Sequence, residues 1–227
     1  MIAYSIRPRP IFDNRSDAGR QLAEKLSEYS GKPVVVLAIP NGGVLVALEA
    51  AKALKANFDL VVCRKIPIPL SPEAGFGAIA DDGTIFLNEE LVKRIGLSRQ
   101  QIDYEAGKVR TEIKKRSLLY RGDRPLVSIS GKTVIVIDDG LASGVTMMAA
   151  VESVRHRHPK EIVVAAPCAS AVAVKQLEKV ADRVVTGTTG FMPAFAVADF
   201  YRQWYDLSDD EVVKYLNQWR TRHLPQK

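Results

Sequence analysis

The chain is poor in the residues that build covalent or metal-stapled frameworks: 227 residues hold two cysteines and three histidines. Cys63 and Cys168 stand too far apart in sequence for a metal knuckle. Each ends a predicted buried strand, so both read as reduced core thiols. No apolar run approaches the roughly 20 residues that cross a bilayer, and Met1 to Pro8 lack the apolar centre of a signal peptide. A cytoplasmic protein without a membrane partner is expected. The chain also lacks a Walker lysine loop and any zinc-finger or RNP-like signature. Its formal charge of +6 is dispersed, with the densest cluster at Lys114, Lys115, Arg116, Arg121 and Arg124. That pattern favours small phosphate esters over nucleic acid.

What is present is ordinary core material, 47% hydrophobic, enough for one α/β domain over residues 1–227. Apolar, largely β-branched runs at 34–39, 58–63, 134–137, 161–166 and 183–186 read as strands. Helical patterns run from a cap at Ser16 or Asp17 to about 29, and over 44–54, Val145–Arg155 and 169–179. Such alternation predicts right-handed crossovers and a parallel sheet, with ligands along its carboxyl edge. Residues 66–124 interrupt the pattern. They predict a hairpin, 78–80 with 84–87, turning at Asp81-Asp82-Gly83, then helices over 91–95 and 98–119, the second opened by a Ser98/Gln101 capping box. Gly75-Phe76-Gly77 superficially matches a dinucleotide fingerprint, but the context of strand and helix is wrong.

The informative stretch is Val134-Ile135-Val136-Ile137-Asp138-Asp139-Gly140-Leu141-Ala142-Ser143-Gly144-Val145-Thr146. A strand buried on both faces ends in two carboxylates, and a run of small residues leads into a helix. Small side chains let a ligand reach the backbone, and the first amides of a helix have no internal partner. Ser143 and Thr146 add hydroxyls, while Asp138 and Asp139 offer only acceptors. A ligand with a phosphate and vicinal hydroxyls satisfies both halves. A second strand-to-helix anion cradle follows the strand at 34–39, at Asn41-Gly42-Gly43. Arg64 and Lys65 follow the next strand.

The central stretch closely resembles the 5-phosphoribosyl 1-diphosphate (PRPP) motif of the type I phosphoribosyltransferases. Further likeness lies in 12–19, Ile39-Pro40-Asn41-Gly42-Gly43, Arg64-Lys65, Asp81-Asp82-Gly83 and Phe195-Ala196-Val197, and points to a subfamily of undefined acceptor. The resemblance implies a type I phosphoribosyltransferase fold: a central parallel sheet flanked by helices, a core of about 30–65 and 125–186, a flexible insertion over 66–124, and a small hood from 1–15 and 187–205. It implies an enzyme that uses PRPP and Mg²⁺ to place a 5-phosphoribosyl group on a nitrogenous base, as a homodimer.

The resemblance also implies a role for each site residue. Asp138 and Asp139 hold the ribose hydroxyls and meet the metal indirectly; with Lys65 they form the catalytic set. Gly140, Ala142, Ser143, Gly144, Val145 and Thr146 take the 5′-phosphate, and Asn41, Gly42, Gly43, Arg64 and Lys65 take the pyrophosphate. Relatives often carry a basic residue where this chain has Asn41, so Lys65 would supply the charge. Family members acting on 6-oxopurines place an Asp where this chain has Ala142, which argues against hypoxanthine and guanine.

The aromatic tail 187–205 reads as irregular, and Phe191, Phe195 and Val197 are its candidates for base contact. Phe12, Asp13 and Arg15 read most simply as a salt-bridged surface turn, with closure of the hood as the alternative. The paired His156 and His158 read as a basic helix end rather than a metal site. A non-catalytic PRPP- or nucleotide-sensing regulator is the alternative function, and a basic face away from the site would favour it.

Overall fold

In the computed structural model, residues 10–223 are described except 70, 193 and 194, and 72, 73 and 223 by backbone alone. The first helix, α1 (Arg15–Lys25), begins one residue before the expected cap. Asn14 is the N-cap, its side chain accepting from the Asp17 amide at 3.0 Å. Strand β1 (Val34–Ala38) leads into α2 (Gly43–Leu54) and β2 (Asn57–Leu60). The strand expected over 58–63 is in fact two. Val61 still donates to the Ala38 carbonyl, but Cys63 opens β3 (Cys63–Ile68), which pairs antiparallel with β4 (Ser71–Ala80) in a second sheet. Arg64 and Lys65 therefore lie inside a strand of that second sheet, not at the end of a parallel one, and Cys63 starts a strand. Strand β5 (Ile85–Leu87) completes the predicted hairpin.

The insertion continues as α3 (Glu89–Ile95) and α4 (Arg99–Arg121), the latter with the expected Ser98/Gln101 capping box. Ile102, Ala106, Val109, Ile113 and Tyr120 of α4 join the main core cluster, so this charged helix packs one apolar stripe inward. The chain then returns to the large sheet through β6 (Thr133–Ile137), α5 (Val145–Arg155), β7 (Glu161–Ser170), α6 (Ala171–Leu177) and β8 (Arg183–Gly190). β7 and β8 each run four residues past the expected ends, because Cys168 and Ser170 stay in register with Thr188 and Gly190. Residues 187–190 are therefore strand rather than irregular chain, and Cys168 sits within β7.

The large sheet has five parallel strands in the order β2-β1-β6-β7-β8. Alternate residues of β1 face opposite ways: Val34, Val36 and Ala38 pack with α2, Val35 and Leu37 with α5. Coverage on both faces explains why β1 is apolar at every position. Among the described residues no helix is long and apolar enough to cross a membrane.

The last helix, α7 (Asp209–His223), starts with a Ser208/Glu211 capping pair and locks onto α4. Asp209 Oδ1 lies 2.6 Å from the Tyr120 hydroxyl, accepts from Asn41 Nδ2 at 2.9 Å and faces Arg116 Nη2 at 3.3 Å. Burial pushes the Asp209 carboxyl up, but the bonds from Tyr120 and Asn41 and the charge of Arg116 bring it below its usual range. Asp209→Ala should cost about 1–2 kcal/mol in urea unfolding at pH 7. A carboxyl depressed in the folded state contributes above its unfolded pKa, so the deficit should shrink as pH falls through about 4.

Candidate active site

The chain leaves β1 toward β2 on one side and β6 toward β7 on the other, although β1 and β6 are neighbours. Their crossover helices α2 and α5 lie on opposite faces, so the loops after β1 and β6 part and leave a crevice at the carboxyl edge. Both sequence-predicted anion loops, 41–43 and 140–146, stand at this switch point.

The backbone of the first loop lies directly against the second. A methyl group at Gly42 would overlap the Asp139 carboxylate, and one at Gly43 would lie 2.7 Å from the Ile137 carbonyl oxygen. Glycine is required there for close approach, whatever ligand is bound. The Asn41 side chain is engaged: Nδ2 donates to the Leu207 carbonyl at 2.8 Å and to Asp209, and Oδ1 accepts from Arg116 Nη1 at 3.0 Å. Asn41 thus holds the loop to α4 and α7, and only its backbone is left to meet a ligand.

The twin carboxylates stay close to each other but have different further partners. Asp139 Oδ2 receives Arg15 Nε at 2.8 Å; Arg15 is buried and the Asp139 side chain is 14% exposed. Arg15 also donates through Nη1 to the Tyr205 carbonyl at 2.7 Å and stacks 4.0 Å from the Trp204 ring centroid. The Asp139 carbonyl accepts from the Tyr201 hydroxyl at 2.6 Å. Asp138 Oδ1 accepts from the Asp139 amide at 2.8 Å, and Asp138 lines a cleft of about 490 Å³ with Pro40, Arg64, Lys65, Arg116 and Thr146. Burial raises the pKa of both acids. The neighbouring charge of Asp139 adds to the rise of Asp138, while Arg15 opposes that of Asp139. Arg64 pairs with Glu112 at 3.1 Å at the cleft's edge, and the Lys65 stem lies over Gly75, where any side chain would overlap it.

The loop after the acids is pinned to β7. Leu141 donates to the Cys168 carbonyl at 2.9 Å and accepts from the Ser170 amide at 2.8 Å, and the Ser170 hydroxyl donates to the Ala142 carbonyl at 2.6 Å. Gly140 lies beneath Val197, which a side chain there would overlap, and Gly144 has φ +73°. Ala142 and Ser143 are left exposed, and Val145 and Thr146 open α5, whose first amides have no partner within the helix.

The hood is assembled by pairing between the two chain ends. Ile11 and Phe12 donate to the Phe200 carbonyl, and Arg202 and Gln203 donate back to Phe12 and Asp13. Buried Phe12 and Arg15 follow the hood-closing alternative, while exposed Asp13 pairs with Arg202 at 3.0 Å as the surface turn expected; residues 1–9 of the expected hood lie outside the described residues. Among the base candidates Val197 rests on Gly140, Phe195 packs on Phe200 with ring centroids 5.0 Å apart, and Phe191 is 84% exposed beyond β8. Residues 193 and 194, inside the same candidate stretch, lie outside the described residues.

With this geometry in place, comparison with known proteins is decisive. Residues 11–198 match the phosphoribosyl transferase domain model. The chain belongs to that family. Phosphoribosyl transferase relatives include the Mycobacterium tuberculosis protein "Putative phosphoribosyl transferase Rv0571c" and its counterpart in a second strain, each 41% identical over 209 residues. That match takes in 91% of this chain and 46% of each relative, so the chain spans about half the length of the curated relatives it matches. The crystal structure of TT1426 from Thermus thermophilus superposes with a TM-score of 0.76 at 34% identity, over 93% of this chain and 99% of that one.

Reading the sequence for phosphoribosyl transferase features finds the acids and the loops but misses Arg15 as the partner of Asp139, and Tyr201 and Trp204 as its neighbours. The only signal was the resemblance of residues 12–19, which carries no information about distance. Arg15→Met should cost about 2–4 kcal/mol in urea unfolding because it leaves a largely desolvated Asp139 uncompensated, and Arg15→Met/Asp139→Asn should recover part of the loss in the same unfolding assay. For Asp138, a pKa raised by folding means stability is lost as pH rises through the folded value. Asp138→Asn, which keeps the acceptor for the Asp139 amide, should flatten that decline in melting temperature.

Proposed function

We propose that the protein is a PRPP-dependent phosphoribosyltransferase that transfers the 5-phosphoribosyl group to a nitrogenous base and releases pyrophosphate. The observation that carries this reading is the convergence of Asp138, Thr146, Arg64 and Lys65 on one cleft at the switch point. In the reaction the C1–oxygen bond to pyrophosphate breaks, a C1–nitrogen bond forms, and the base loses a proton. Positive charge grows on the sugar and negative charge on the leaving group, so positioning and cations matter more than a protein nucleophile.

In this reading the 142–146 loop binds the 5′-phosphate through helix amides and the hydroxyls of Ser143 and Thr146. Asp138 accepts from the ribose hydroxyls. Lys65, and Arg64 once it leaves Glu112, face the pyrophosphate, while the 41–43 backbone cradles it. Asp139 fixes Arg15 and with it the hood, so the role expected of two acids falls mainly on Asp138. Val197, above Gly140, is the best placed of the base candidates.

The donor set fits Mg²⁺. Among the described residues no cluster of three or more acids, histidines or cysteines forms a protein cage, and one cleft-facing carboxylate beside substrate oxygens and waters is how this ion is commonly held. Asp138 would hold the ion indirectly, and the ion would supply positive charge against the pyrophosphate leaving group.

A regulatory reading has one observation in its favour, a group of basic residues around the β2 edge that is separate from the cleft. Incubation with PRPP, Mg²⁺ and a panel of bases, followed by mass spectrometry, distinguishes the two. A new nucleotide together with pyrophosphate supports the enzyme and names the acceptor; PRPP binding with no release from any base supports the sensor. Asp138→Asn should lower PRPP affinity at least tenfold by calorimetry with an unchanged circular dichroism spectrum. Undiminished affinity would remove Asp138 from the site.

A further inference from the structure

A second cavity, of about 610 Å³, opens at the β2 edge of the large sheet and shares no lining residue with the cleft at Asp138. β2, the last turns of α2 and α4, and α7 frame it. Its volume is in the range of small-molecule sites. Phe58 and Trp219, with ring centroids 5.5 Å apart, form an aromatic floor beside Leu216.

The rim is cationic. Lys52, Lys55, Arg121, Arg124 and Arg220 line the cavity with one carboxylate, Asp59, and Arg121 is also paired with Asp81 at 3.2 Å behind it. Asp59 is already engaged, accepting from the Val127 amide at 2.9 Å and facing Arg121 at 3.6 Å. Lys52 pairs with Glu49 at 2.9 Å. Among the described residues Lys55, Arg124 and Arg220 have no carboxylate partner; Arg220 donates only to the Tyr120 carbonyl and to Asn217. The Arg121 Nε–H is buried with no hydrogen-bond partner among the described residues. Burial and the like charges of Arg124 and Arg121 lower the pKa of Arg220, a repulsion that a bound anion would relieve.

We propose that this cavity is a second ligand site, for a planar aromatic group carrying a phosphate, in chemical class a nucleoside monophosphate. The ring lies against Phe58 and Trp219, and the phosphate meets Lys55, Arg124 and Arg220. Aromatic and cationic surface within one cavity selects this ligand over a bare anion, which would use the rim alone. A nucleic-acid strand would need a basic groove continuing past the cavity. The proposal does not depend on the transferase reading, because it concerns different residues.

The test is calorimetry and NMR with AMP, inorganic phosphate and a single-stranded oligonucleotide on the full chain. Trp219 is one of two tryptophans, so its indole N–H is readily followed. AMP should shift that signal. Lys55→Ala/Arg124→Ala, both exposed and outside the cleft, should weaken the event at least tenfold without changing melting temperature or PRPP binding, and Trp219→Leu should weaken AMP binding more than phosphate binding. AMP affinity and a Trp219 signal unaffected by the double variant overturn the site. Phosphate binding as tight as AMP overturns the aromatic half. An oligonucleotide that binds through the same residues a hundredfold tighter than AMP overturns the proposal in favour of nucleic acid. Loss of transferase activity in an otherwise responsive cavity bears only on the function of the cleft.

Discussion

The ion pair of buried Arg15 with partly buried Asp139 is the constraint on which the candidate site depends. It joins the first turn of α1 to the end of the central strand, 124 residues later in the chain. Two acids at one strand end repel each other, and burial raises the cost of ionising either. The guanidinium offsets one charge at close range, which leaves the other acid turned to the cleft. The same guanidinium stacks on Trp204 and bonds to the Tyr205 carbonyl, so neutralising Asp139 and closing the hood are one event.

A second set of contacts fixes the opposite loop. Asn41 bonds to Leu207, Asp209 and Arg116, so the turn after β1 is held by two helices that lie far from it in sequence. Gly42 and Gly43 then bring that turn against Asp139 and Ile137. These glycines are explained by close approach of one loop to the Asp139 side chain and the Ile137 carbonyl of the other. The insertion contributes in the same way: α4 carries Arg116 and Tyr120 to the loop while its apolar stripe joins the main core.

Much of the fold was legible from the chain alone because its signals are local. β1, β6 and α5 are continuous apolar or amphipathic runs ended by glycine, acids or caps, and their limits agree with the sequence to within a residue. The misses share one cause. The chain after Leu60 reads as one strand through Cys63, but pairing of Cys63 with Ala80 moves it to another sheet. The 187–190 stretch reads as irregular, yet its register with β7 makes it strand. Pairing partners are absent from a one-dimensional pattern.

The sequence by itself determined the parallel sheet, the position of the acid pair and the two small-residue turns, since each follows from the run of side chains around it. Only the tertiary structure decided that Asp139 belongs to Arg15 while Asp138 faces the cleft, that Asn41 is a tie between helices, and that Lys65 reaches the site from a second sheet. Charge pairing, close approach and exposure depend on distances between residues remote in the chain, and those distances exist only once the core has packed.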